Sequence, residues 1–170
     1  MPNGDPAYNL TIMNVPHLLR TACLGGLLML VATAATHAQR SPLQQRLSTA
    51  TKVSCSFSVL GTGTWNKGTP AITSAPVKLS VAFTNVNVDE GTADAKSTFG
   101  ESFIVVRQAN DYLHFMQMYG SGPLHTTTIL AREAQDGRLM AVHTRHEYTD
   151  VAIPGFTSRP EMYIGDCEVS

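Results

Sequence analysis

From residue 52 onward, apolar and polar side chains alternate one for one in segment after segment. This period constrains the fold more than any other feature of the chain. In KVSCSFSVL (52–60), Val53, Cys55, Phe57 and Val59 fall on one side and Ser54, Ser56 and Ser58 on the other, as a half-buried strand requires. VKLSVAFTNV (77–86) repeats the pattern with Leu79, Val81 and Phe83. SFIVVRQ (102–108), DYLHFMQMY (111–119), LHTTTILA (124–131), RLMAVHTRHEY (138–148) and EMYIGDCEV (161–169) follow, and Ala-Asn-Asp, Gly-Ser-Gly-Pro and Gln-Asp-Gly turns separate the first four of these, the punctuation of consecutive hairpins. EGTADAKS (90–97) is a weaker strand candidate. No sustained 3.6-residue period appears after residue 38, which argues against a βαβ architecture. The expected fold is all-β and antiparallel, a seven- or eight-stranded up-and-down barrel, because closure removes exposed edges. A two-sheet β-sandwich is the alternative.

One segment bears on that choice. CSFSVLGTGTWNKGT (55–69) resembles the first strand of the calycin-type barrels, the lipocalins and avidins, in which a Gly-x-Trp sits near the start of the barrel; here it is Gly63, Thr64 and Trp65. The resemblance implies a barrel with Trp65 plugging one end. It does not reach the residues by which avidins contact biotin, so it implies no biotin site.

The N-terminal region is different in kind. Arg20 precedes the apolar run TACLGGLLMLVATAA (21–35), which exits through small residues to Ala38, the pattern of a secretory signal peptide with cleavage after Ala38. The run is short for a membrane span, which needs about 20 apolar residues. Met13 is an alternative initiator, and Cys23 lies too near the start of the run to be a lipidation site. A polar leader, QRSPLQQRLSTAT (39–51), follows, with Ser41 placed to cap, Pro42 at a first helical position and Gln44 completing a capping box. A helical turn and a loose leader both fit it. The expected organisation is thus a signal peptide (1–38), the leader (39–51) and one β-barrel domain (52–170) working in the periplasm or outside the cell. Two cysteines survive cleavage, Cys55 and Cys167. An even count in an exported chain predicts one disulfide, here joining the first strand to the last.

Removing residues 1–38 takes away Arg20 and Asp5 and leaves the net charge at −1, with no Lys/Arg cluster. That excludes the electrostatic footprint of a nucleic-acid binder, and no second apolar span remains for a membrane. His143 and His146 read as His-x-x-His, but on a strand odd spacing sends the two rings to opposite faces, so neither a metal nor a cofactor is expected. Ser121 sits in a Gly-Ser-Gly-Pro hairpin turn rather than a strand-to-helix nucleophile elbow.

Equal parity is more productive. His143, Arg145 and Glu147 share one face of their strand. If Gln135, Asp136 and Gly137 form a three-residue loop with Ala134 opposite Arg138, then His125 lies opposite Glu147, Thr127 opposite Arg145 and Ile129 opposite His143. A one-residue slip would instead pair His125 with His146. Facing inward, this set would give a ligand pocket with an apolar floor and a charged mouth, and a carboxylate beside a histidine could exchange protons with a substrate. Facing outward, it is a solvated ladder, the default expectation.

His143, Arg145, Glu147 and His125 are therefore the catalytic candidates, and Trp65, His114, Thr127 and Phe156 the ligand-binding ones. Phe156 belongs to the apolar loop TDVAIPGFTSRP (149–160), which with Val151 and Ile153 would form a lid or a partner surface. Met116, Met118, Met140 and Met162 are expected inside as adaptable packing. The leading functional expectation is an exported, non-catalytic binder of a small apolar or amphipathic ligand, or an interaction module. The rivals are a barrel enzyme using the His/Arg/Glu cluster for proton transfer and a structural protein with a filled barrel.

Overall fold

A computed structural model describes residues 40–95, 102–120, 122–148 and 158–170. The expected signal peptide, Ser121 and the lid residues Val151, Ile153 and Phe156 lie outside the described residues. The chain runs α1 (Pro42–Ser48), β1 (Val53–Asn66), β2 (Thr69–Asn87), β3 (Thr92–Ala95), β4 (Ser102–Ala109), β5 (Tyr112–Tyr119), β6 (Leu124–Glu133), β7 (Leu139–His146) and β8 (Glu161–Val169).

The eight strands form one antiparallel sheet in the order β3-β2-β1-β8-β7-β6-β5-β4. One continuous sheet rules out the two-sheet sandwich. Apart from the β8-to-β1 return, every neighbour in this order is a neighbour in sequence, so the arrangement is a meander. It does not close into the expected barrel, because β3 and β4 stand at opposite ends of the order and share no ladder. β3 is four residues long and pairs with β2 only at Phe83, Thr84 and Asn87, too little edge to zip onto β4. Among the described residues, one backbone bond, Val106 N–H to the Gly91 carbonyl at 2.8 Å, reaches across. The sheet still curls: Phe83 of β2 stacks on Phe115 of β5 with ring centroids 4.1 Å apart, although these strands are second and seventh in the order.

The leader is helical and structural. Ser41 caps α1 and Gln44 returns the bond, forming the capping box. Leu47 is fully buried in the core. Arg46 donates to the Gly137 and Val169 carbonyls at 2.7 and 3.2 Å, and Gln44 Nε2 donates to Asp111 at 2.7 Å. These bonds tie α1 to the β4–β5 turn, the β6–β7 turn and the end of β8, so α1 plugs that end of the curl.

β1 departs from simple alternation. Its register with β8 shifts between Phe57 and Val59, where Ser58 is an extra residue on β1, a bulge that reverses parity; against β2 the shift at the same place leaves the extra residue on β2. Val53, Cys55 and Phe57 are buried as the alternation requires, but Val59 is 44% exposed and Leu60 takes the inward position opposite Tyr163. Gly165 permits this: a Cβ there would lie 2.0 Å from the Ser56 carbonyl oxygen and 2.7 Å from Phe57 Cα. Beyond Thr62, the last β1 residue in the ladder with β8, β1 and β2 continue as a two-stranded arm that turns at Lys67 and Gly68, both at positive φ, the tight hairpin turn that matches strand twist. Cys55 and Cys167 sit directly opposite each other on β1 and β8 and form the disulfide. Met118, Met140 and Met162 are exposed, contrary to the expectation of an interior role, because their even numbering puts them on the outer face of β5, β7 and β8. Among the described residues no helix is long and apolar enough to cross a membrane.

Candidate functional site

The inner face of the sheet is laid out in rows by strand register. Of the three rows that lead away from the Cys55–Cys167 pair, the first, Leu113-Ile129-Ala141-Gly165-Phe57, is apolar. The next is Phe115-Thr127-His143-Tyr163-Leu60, and the highest is Gln117-His125-Arg145-Glu161-Thr62. Polarity rises row by row from the α1-plugged end to the opposite end. Glu147 follows β7 on the same face and is 5% exposed.

The face shared by His143, Arg145 and Glu147 is therefore the inward one: His143 is 3% exposed, whereas His146 is exposed on the other side. The solvated ladder is overturned by this burial. The hairpin loop is as expected, with Ala134 N–H bonded to the Arg138 carbonyl at 2.7 Å. A register shift between Ile129 and Glu133 then moves the upper pairing by two residues, so that His125 faces Arg145 and Thr127 faces His143. Two residues preserve parity, so the same side chains meet with different direct partners.

His125 Nε2 donates to Glu147 Oε1, and the Thr127 hydroxyl lies 2.9 Å from His143 Nδ1. The two imidazoles are 5.7 Å apart, near perpendicular. His143 is flanked by Phe57 and Tyr163, each at 5.6 Å, and the Arg145 guanidinium lies 5.2 Å from the Tyr163 ring centroid. Arg145 also approaches Glu161 at 3.9 Å, and Tyr163 donates its hydroxyl to Glu161 Oε2. Gln117 Nε2 donates to Ser102 at 2.8 Å.

Burial pushes His143 down to about 3, with the nearby Arg145 and His125 acting in the same direction; its ring is neutral at physiological pH. Burial also lowers His125, reinforced by Arg145 and opposed by its bond to Glu147. The His125–Glu147 contact is thus a neutral imidazole N–H donating to a carboxylate rather than a full ion pair. Burial raises Tyr163, and its bond to Glu161 adds to the rise, so it is a phenol donor.

Three buried polar atoms in this wall have no hydrogen-bond partner among the described residues: His143 Nε2, Arg145 Nε and Glu147 Oε2. Leaving such a group unmatched costs about 1–3 kcal/mol each, and the three lie on successive inward residues of one strand and its extension.

The other sequence candidates are placed apart. His114 lies on the outer face, between buried Leu113 and Phe115, where it bonds Thr128 at 3.0 Å and stacks on Tyr112. Trp65 is 51% exposed on the β1–β2 arm, edge-on to Tyr148 at 5.7 Å, outside the inner rows. Sequence reasoning missed Tyr163, Glu161, Gln117 and Phe57 as wall residues. Parity on β8 and β5 could have found the first three, once β7 was known to face inward. Compared with known proteins, the chain matches no family model, no curated protein and no solved structure.

Proposed function

We propose that this protein is an exported, non-catalytic binder of a small amphipathic molecule held against the inner wall formed by His143, Arg145 and Glu147. The observation that carries this reading is the set of three unpartnered buried atoms in that wall. A purely structural protein would be expected to satisfy them internally, since buried polar groups are almost always paired. A ligand satisfies them while its apolar part rests on Phe57, Leu60 and the rings of Tyr163 and His125. The disulfide suits an oxidising compartment, in keeping with a signal peptide at 1–38. The meander order and the Gly63-Thr64-Trp65 resemblance support kinship of form with the calycin barrels, whose interiors hold ligands.

The test uses protein exported and purified without denaturation. Native mass spectra and solvent extracts of the wild type and of Arg145→Met are compared. A small molecule carried by the wild type and lost from the folded variant supports the reading; wild-type protein that is empty in both measurements, and that takes up nothing from an extract of its host, refutes it.

One observation favours a second reading, a proton-transfer enzyme: His125 and Glu147 form a hydrogen-bonded imidazole–carboxylate pair next to a second, neutral imidazole. If a recovered ligand is chemically altered by the wild type and returned unaltered by folded Glu147→Gln, the enzyme reading replaces the binding one.

A further inference from the structure

We infer that the inner-wall site selects an uncharged ligand head carrying an acceptor oxygen next to an N–H or O–H donor, such as a primary amide, and discriminates against a carboxylate. The inference rests on the binding reading above and adds the chemistry of the ligand to it.

It follows from assigning each proton in the wall. Thr127 is buried, and its hydroxyl has one partner among the described residues, His143 Nδ1. The hydroxyl hydrogen needs an acceptor, so Thr127 donates to Nδ1 and the neutral His143 ring carries its own proton on Nε2. His143 Nε2 is therefore an unmatched donor. Arg145 Nε is a second, since a guanidinium has no acceptor. The His143 ring and the Arg145 guanidinium flank the same Tyr163 ring, at 5.6 Å between ring centroids and 5.2 Å from guanidinium carbon to centroid, and stand two residues apart on one face of β7, which places their unmatched donors within reach of one oxygen-bearing head. Glu147 Oε2 is the converse, an unmatched acceptor whose sister oxygen is occupied by His125.

Charge decides between heads that offer an oxygen. The Arg145 guanidinium is already approached by Glu161 at 3.9 Å, while Glu147 faces an imidazole whose pKa burial lowers. Among the wall residues His143, Arg145, Glu147 and Glu161, a carboxylate ligand would meet two acidic side chains against one guanidinium and would offer no donor to Glu147 Oε2. An amide gives its oxygen to His143 and Arg145 and its N–H to Glu147. The flanking rings of Phe57, Tyr163 and His125 suit a flat apolar body.

Three probes of one shape separate these terms without altering the protein: benzamide, benzoate and N,N-dimethylbenzamide, titrated into the full-length secreted chain while the His143 ring signals are followed by nitrogen-detected NMR. Benzamide is expected to shift the His143 Nε2 signal and to bind about tenfold or more tightly than either other probe, because a hydrogen bond to a charged group is worth that much. If benzoate shifts the same signal and binds as tightly as benzamide, the inference on ligand chemistry falls and the binding reading stands. If the dimethyl compound binds within about threefold of benzamide, the donor to Glu147 plays no part and the inference falls as well. Should none of the three move His143 up to their solubility limits, the inference falls, while the binding reading is decided separately by the native mass and extraction test above.

Discussion

Adding one methyl group at Gly165 is expected to cost the fold far more than its size implies. Gly165 pairs with Phe57 of β1 on one side and Ala141 of β7 on the other, and the Ser58 bulge drives the β1 backbone onto its Cα. In Gly165→Ala the new carbon would sit 2.0 Å from the Ser56 carbonyl oxygen and 2.7 Å from Phe57 Cα. Both are backbone atoms, so no rotamer change relieves the contact, and β1 must retreat by more than an ångström. Overpacking in a rigid interior costs about 1–3 kcal/mol, and each ladder hydrogen bond stretched in the retreat adds about 1 kcal/mol. The expected loss is about 3 kcal/mol, read by urea unfolding of the oxidised protein and by a fall in Tm on the order of 10 °C. Gly61→Ala is the internal control: it lies on β1 in the same β1–β8 ladder, and its Cβ would meet only the Met162 carbonyl oxygen at an ordinary 3.7 Å, so it should change stability by less than about 1 kcal/mol. Equal stability of Gly165→Ala and wild type would show that β1 does not bulge over Gly165, and with it would go the inward placement of Leu60 beside Tyr163.

The remaining expectations concern other parts of the same framework. Because His143 is held neutral with a folded value of about 3, below its unfolded value, the unfolded chain takes up the proton first. Stability should be unaffected by this group above about pH 6.5 and fall by up to about 1.4 kcal/mol per pH unit below it; urea titrations from pH 7.5 to 4 should show a shallower fall in His143→Gln, and parallel curves would contradict the burial of this ring. The Cys55–Cys167 bridge closes a separation of 112 residues, so replacing both cysteines with alanine should cost about 4–5 kcal/mol by the chain-entropy model, with a loss below about 1 kcal/mol counting against it. Leu47→Ala should cost about 2–5 kcal/mol in the same assay, because Leu47 is fully buried; an unchanged midpoint would mean that α1 is not the plug.

Much of the sheet is legible in the sequence because its signal is local. The alternation in β5 to β8, the Gln135–Gly137 loop and the cysteine pair all follow from period, turn chemistry and parity. What escapes is set by irregularities that no residue type announces. The Ser58 bulge inverts the second half of β1 because Gly165, more than a hundred positions away in sequence, leaves room for it. The shift between Ile129 and Glu133 changes the direct partners of His125 and Thr127, yet it leaves the inward set intact because it is even. β2 begins at Thr69, well before the expected Val77, since Pro70 and Pro76 are tolerated on a strand that lacks a partner along its outer side there. Which face of β7 looks inward is a property of the whole curled sheet, and both faces of that strand grade from polar to apolar. Only tertiary packing distinguishes them.

The central claim is that His143 faces inward as a neutral donor with Nε2–H directed at a ligand site. Nitrogen NMR of the His143 ring from pH 8 to 4 tests it most directly. The account predicts a proton on Nε2, a bare Nδ1 hydrogen-bonded by Thr127, and no protonation midpoint within that range. A proton on Nδ1, or a midpoint near the ordinary histidine value of about 6.5, would contradict it.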